Sequence, residues 1–264
     1  MQIATQVATS SKKKFYTESY SFATEWPKKL LSEKSYKTSK GESKGYLTGI
    51  VYMMPYKFAG IGNVCVMASD GCIEGCLSTS GFLGFNKNQQ AMARKTRMFY
   101  KAKGLYFDTL VSDIRALIRK ANREGMTPAV RLNGTSDIGY EKISLVVDGV
   151  KYRSIYDVFP DTQFYDYSKV IYRLRRPLPA NYDITFSRSE ANDEHCREAL
   201  ARGFNVCAVF GVKKGDPLPA TFMGRPVVDA DETDLRFLDP RGSVVGVRAK
   251  KDAKGDDSGF VVRV

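Results

Sequence analysis

Three cysteines, Cys65, Cys72 and Cys76, fall within twelve positions of one segment, VCVMASDGCIEGCLSTSG, residues 64–81. Thiolates are soft, charged donors suited to zinc and iron–sulfur centres. Residues 59–85 form a long glycine-punctuated stretch, and its six glycines permit the tight turns that wrapping a centre requires. The spacing is Cys-x6-Cys-x3-Cys, which lacks the close first pair usual for structural zinc. An iron–sulfur cubane tolerates wider spacing, because each thiolate binds a separate iron. The pattern predicts a three-cysteine [4Fe-4S] centre with one open position. Zinc is the alternative metal, and three reduced thiols packed as small hydrophobes are the alternative without one.

A second set of polar residues follows runs that read as strands. Asn133 and Asp137 come after PAVRLN, and Asp166 and Lys169 close TQFYDYSK. Ser187, Glu190 and Asn192 follow DITFSR. In parallel α/β proteins, sites gather at the carboxyl ends of strands. These seven residues are therefore the candidate catalytic set, with the cysteine loop expected to face the same mouth. Arg94, Lys95 and Arg97 lie close after the cysteines and are candidates to steer a phosphate or carboxylate of a cofactor. Arg173-Leu174-Arg175-Arg176 is a second such cluster. The acidic run 229–240 offers Asp229, Asp231 and Asp234 as hard donors for Mg²⁺, the kit of a metal-dependent nuclease. A solvated turn is the plainer reading of that run. His195 is the only histidine, which excludes any two-histidine zinc motif. Phosphate-loop, GxGxxG and GxSxG motifs are absent from the sequence.

The elements that must carry these groups alternate. TGIVYMM, near Thr48, reads as a first strand ended by Pro55. Helices are expected at 88–100 and 108–124; the second shows Leu110, Val111, Ile114, Leu117, Ile118 and Ala121 at three- and four-residue spacing, with Gly125 to end it. Strands follow at 128–133, 162–167, 183–188, 205–210 and 243–249, with 226–229 as a further candidate and a helix at 193–202. VCAVF is apolar without alternation, as in a strand covered on both faces. The pattern predicts an α/β fold built on an incomplete or irregular TIM-barrel-like parallel sheet with surrounding helices. Residues 47–264 form that domain, preceded by a basic, partly irregular segment 1–46.

The chain of 264 residues carries a net charge of +12, and residues 1–125 hold +11 of it. Such a field favours an anionic substrate or nucleic acid. No apolar run approaches the length needed to cross a bilayer, nor does the amino terminus resemble a secretory signal, so the expectation is an intracellular, non-membrane protein.

The order of first strand, cysteine loop, helix and second strand resembles the radical S-adenosylmethionine enzymes in topology, although their CxxxCxxC motif is missing. That likeness implies S-adenosylmethionine as a possible cofactor. Residues 64–81, 94–100 (RKTRMFY), 131–137 (RLNGTSD), 162–169, 185–192 (TFSRSEAN) and 231–240 (DETDLRFLDP) resemble the family of a numbered mycobacteriophage gene product, encoded mainly by bacteriophages and mobile elements. The likeness spans roughly residues 47–262 and includes the three cysteine positions. It implies a phage-encoded protein acting in the cytoplasm of an infected bacterium, and brings no reaction with it. The functional expectation is thus a metal-dependent enzyme acting on a nucleotide, nucleic acid or other anion. A non-enzymatic DNA- or RNA-binding accessory protein with structural cysteines, or the Mg²⁺ nuclease, stands as the alternative.

Overall fold

A computed structural model describes residues 25–33, 36–76 and 81–264. Most of the basic segment 1–46 (residues 1–24, 34 and 35) lies outside the described residues. Its described part supplies β1 (Leu31–Ser32) and α1 (Tyr36–Glu42).

Apolar runs become the strands of one large sheet. β2 (Tyr46–Val51), β3 (Thr127–Arg131), β6 (Gln163–Ser168), β7 (Tyr182–Ser187), β8 (Val206–Phe210) and β11 (Val244–Arg248) lie side by side in that order, each parallel to the next. β10 (Arg225–Asp229) precedes β11 in the chain but pairs parallel to its outer edge. β1 caps one edge antiparallel to β2, and β9 (Thr221–Phe222) caps the other antiparallel to β10. The edges do not meet, so the sheet is an open, irregular barrel surrounded by helices, as the alternation of elements predicts. A separate hairpin, β4 (Leu145–Val147) and β5 (Val150–Tyr152), packs outside it.

The two long helices follow from 3.6-residue periodicity. α3 (Asn86–Lys101) and α4 (Lys103–Glu124) are separated by Ala102, whose non-helical backbone (φ -138°, ψ 54°) breaks the run. α4 thus begins one turn before the expected Asp108, and Gly125 ends it at φ 66°. Leu110, Ile114, Leu117 and Ala121 bury its apolar stripe against the sheet, in the main core with Val130, Phe164, Ile184, Phe186 and Ala208. Strand side chains alternate between faces. Those residues point to the helices, while Ala129, Arg131, Tyr165, Tyr167, Ser187, Cys207 and Val209 point to the barrel interior.

The acidic run expected as a metal site fills that interior. Leu235 packs with Ala129 and Tyr165, and Phe237 lies edge-on to both Tyr46 (5.2 Å) and Tyr165 (5.4 Å). Lys40 of α1 donates to the Asp231 carbonyl, tying the β2 edge to the segment that follows β10.

Lys95 also has a structural role. Its Nζ donates to the Leu30 carbonyl at 2.6 Å, while Asp113 of α4 accepts from the Leu30 and Leu31 amides at 2.6 and 3.0 Å. Burial pushes the Lys95 ammonium down to about 8, against the pull of Asp113. The pair staples β1 to the sheet. Asp113→Ala leaves two buried amides without an acceptor, at a cost of about 2 kcal/mol. Hydrogen exchange should show Leu31 losing protection while Ile114 keeps it; unchanged protection at Leu31 would show that the staple is idle.

Candidate functional site

The carboxyl ends of the parallel strands open on a cleft of about 290 Å³. Cys65, Cys72 and Cys76 line it, together with Asn133, Asp137, Lys169 and Ser187. The cysteine-bearing segment contains a short helix, α2 (Asp70–Glu74), that sequence periodicity does not reveal. Ser69 caps it by accepting from the Cys72 amide. Glu190, beyond β7, accepts from Ser69 Oγ at 2.8 Å and the Gly71 amide at 2.9 Å, pinning the loop to the mouth. Gly71 is required by this close approach: a Cβ there would stand 2.6 Å from Phe260 Cβ.

The chain end supplies one wall. β7 pairs with β8 only at Phe186↔Val206 and Ser187↔Cys207. Beyond that point β12 (Val261–Val262) takes the free edge of β8, with Val261 opposite Val209. Arg188 donates to the carbonyls of Gly259 and Phe260 at 2.9 and 3.1 Å, which seats Phe260 in the cleft.

The expected metal chemistry is overturned. Among the described residues, no group of three or more His, Cys, Asp or Glu stands where it could hold a metal ion. The three cysteines share the cleft, but their sulfurs are not gathered on one point. Cys65 Sγ donates to the Thr135 carbonyl at 3.6 Å, and Cys72 lies against Lys169. Burial pushes the Cys65 thiol up to about 12 and raises that of Cys72, so both rest as neutral thiols. The [4Fe-4S] centre, the zinc alternative and the S-adenosylmethionine chemistry that would depend on a cluster are therefore corrected. None of the five cysteines forms a disulfide, so no disulfide staples the loop either. The Mg²⁺ nuclease falls for a related reason. Arg248 Nη1 donates to Asp229 at 2.8 Å and Asp231 at 2.9 Å, Lys250 reaches Asp231 at 3.3 Å, and Arg131 holds Asp234 at 3.0 Å. Those carboxylates are committed to cations.

The remaining candidates separate into cleft residues and supports. Asn133 lines the cleft, while Asp166 points to the helix face beneath it and accepts from Asn133 N (2.6 Å) and Nδ2 (3.0 Å). Asp137 accepts from Ser168 Oγ at 2.7 Å, Lys169 N at 2.8 Å and Arg173 Nη1 at 2.9 Å, fixing the turn after β6. Asn192 stays outside, holding the turn after β7 through Ser187 O and Ser189 N. Arg94, Lys95 and Arg97 are not brought to the cleft; Arg97 donates to the Ala59 carbonyl. Arg173, expected in a phosphate cluster, is buried on α6 (Ile171–Leu174) against Asp137, Glu141 and Tyr182.

Lys169 is different. It is half-buried, donates to Ser187 Oγ at 2.9 Å, and touches Cys72 and the face of Phe260. Its ammonium forms no ion pair among the described residues. Burial alone would lower its pKa, but the groups facing it, Asp137 among them, hold it above the usual lysine value. Lys169 is thus a cation at neutral pH. Five cations line the cleft (Lys40, Arg131, Lys169, Arg248 and Lys250) against three carboxylates, Asp137, Asp231 and Asp234. Arg131, Tyr167 and Phe260 were not among the sequence candidates. Arg131 ends a strand, a usable signal; Phe260 only precedes β12, a strand too short to show a pattern.

A parallel open barrel with a cationic cleft at its strand ends defines an α/β protein of the barrel class, with the cleft where sites of that class usually lie. The description of the Gene product 88 family matches residues 28–264, and the chain belongs to this phage-associated family. No curated protein and no solved structure matches it. The topological likeness to radical S-adenosylmethionine enzymes gains no support from these comparisons. Among the described residues, no helix is long and apolar enough to cross a membrane.

Proposed function

We propose that the protein binds a small organic anion in the mouth of the open barrel, with Lys169 as the principal counter-charge. The observation that carries this reading is Lys169 itself. The half-buried Lys169 ammonium lines the cleft beside a hydroxyl, a thiol and a ring, with Asp137 facing it but not in ion-pair contact. An anion in the cleft would add the direct ion pair that Lys169 lacks among the described residues, and Ser187 is positioned to add a hydrogen bond. The cleft volume fits a small molecule rather than a long strand. Ser187 and Cys72 are polar groups that line the cleft beside Lys169.

Ligand linkage gives the test. Inorganic phosphate at 100 times its Kd should stabilise the wild type by about 2.7 kcal/mol, seen as a rise in Tm. Lys169→Met, which keeps the stem and deletes the charge, should abolish that rise. An equal rise in both proteins would place the anion elsewhere and remove the basis of this reading.

A further inference from the structure

The cleft has two unlike halves. Lys169 and Ser187 form a polar corner at the ends of β6 and β7. Against them stand Val209, Val247, Ala253 and Phe260, from β8, β11, the turn 251–255 and the chain-end segment. This apolar half is not part of the main core. Ala249, Ala253, Phe260 and Val261 form a separate cluster, against which Val209 and Cys72 pack only partly buried. Above it, Met67 lines the cleft while 49% exposed.

In this wall Ala253 and Phe260 are buried, while Val209 and Val247 are only half-buried and leave apolar surface accessible to a ligand-sized space. An inorganic anion would satisfy Lys169 and leave this wall wet. A ligand carrying an apolar body next to its charge would cover both. The chain spends its last residues on building that wall: β12 inserts where β7 and β8 part, and Arg188 fixes the Phe260 backbone.

From this we infer that the ligand is an amphipathic anion. Its phosphate or carboxylate sits at Lys169 and Ser187, and its flat ring or compact hydrocarbon body lies against Val209, Val247 and Phe260. The inference rests on the anion-binding reading above and adds the chemical class of the ligand. Met67, unbranched and polarisable, is suited to close over a ring.

Calorimetric titration of the full-length protein with inorganic phosphate and with phenyl phosphate separates the two ideas. The wild type should bind phenyl phosphate at least about ten-fold more tightly than phosphate, the gain expected from taking one ring out of water. Phe260→Ala should erase this preference, bringing the ratio of the two affinities to about one. Because Phe260 also holds the chain end, Val209→Thr is the second variant; it keeps the shape of the wall while making it polar. It should cut the ring preference to about three-fold or less, read as the ratio of the two affinities, at a small cost in Tm from the added hydroxyl. Equal binding of the two probes by the wild type would overturn the amphipathic assignment and leave the anion site standing. A ring preference indifferent to both variants would also overturn it, because the body would then lie elsewhere. Failure of both probes to bind would remove the anion reading and this inference together.

Discussion

Arg173→Met should destabilise the protein by about 3–5 kcal/mol, among the largest costs of any single side chain in the fold. The Arg173 side chain is 2% exposed. Its guanidinium grips Glu141 with two parallel bonds, Nε to Oε1 and Nη2 to Oε2, each 2.9 Å. It also donates to Asp137 Oδ1 at 2.9 Å and to the Tyr182 hydroxyl at 2.6 Å. Tyr182 is stacked on Tyr156 with ring centroids 4.2 Å apart. Methionine fills much of the volume but leaves two buried carboxylates without their cation. That is the expensive half of a buried ion pair, since desolvation has been incurred and the compensating charge is gone. Urea unfolding should show a lower midpoint at unchanged slope. The damage should extend to the cleft, because Asp137 also positions the Lys169 backbone, so phosphate affinity should fall as well. A loss below about 1 kcal/mol would mean that the carboxylates reach water in the native state.

A second large effect is a pH dependence centred on Asp166. Burial pushes its carboxyl up to about 6, against the hydrogen bonds from Asn133 and the attraction of Arg173 and Arg131. An aspartate in the unfolded chain titrates near ~3.9. Between these values the native state holds a proton that the unfolded chain has released. Stability therefore falls as pH rises through this window, the reverse of the usual salt-bridged aspartate. The contribution is fully present below about pH 4 and gone above about pH 6. A shift of two units amounts to ~3 kcal/mol. Asp166→Asn cannot titrate, so the stability difference between wild type and variant should shrink by about that amount from pH 4 to pH 7. Parallel curves would show that Asp166 titrates alike in both states.

How much of this was legible in the sequence depended on the range of the interaction. α3 and α4 announce themselves through 3.6-residue periodicity, and β8 through the unbroken apolar run VCAVF. β9 and β12 have two residues each, too few to show any period. α2 depends on Glu190, more than a hundred residues away, for its amino-terminal contacts. The charged runs misled because a run does not share a direction. On α3, Lys95 turns into the core and Arg97 toward Ala59, while Arg94 stays half exposed. In the acidic run, the partner of Asp229 and Asp231 is Arg248, brought near by the parallel pairing Asp229↔Gly246.

The cysteines show the same limit from another side. Count and spacing suggest a shared centre, and the fold does bring Cys65, Cys72 and Cys76 to one cleft. What spacing does not encode is where each sulfur points. Cys65 is turned to a backbone carbonyl and Cys72 to an ammonium, which disposes them as walls of a ligand site rather than as ligands. The strand-end rule was the more informative guide, because it depends on topology, and the topology was readable from the alternation of elements.

The most direct measurement is the position of a bound anion. Crystals soaked in iodide, a soft anion located through its anomalous scattering, should show a peak within contact distance of Lys169 Nζ in the wild type. The same peak should be missing in Lys169→Met. Iodide gathered only on exposed arginines such as Arg119 and Arg123, with none inside the cleft, would contradict the assignment of Lys169 as the counter-charge for the ligand.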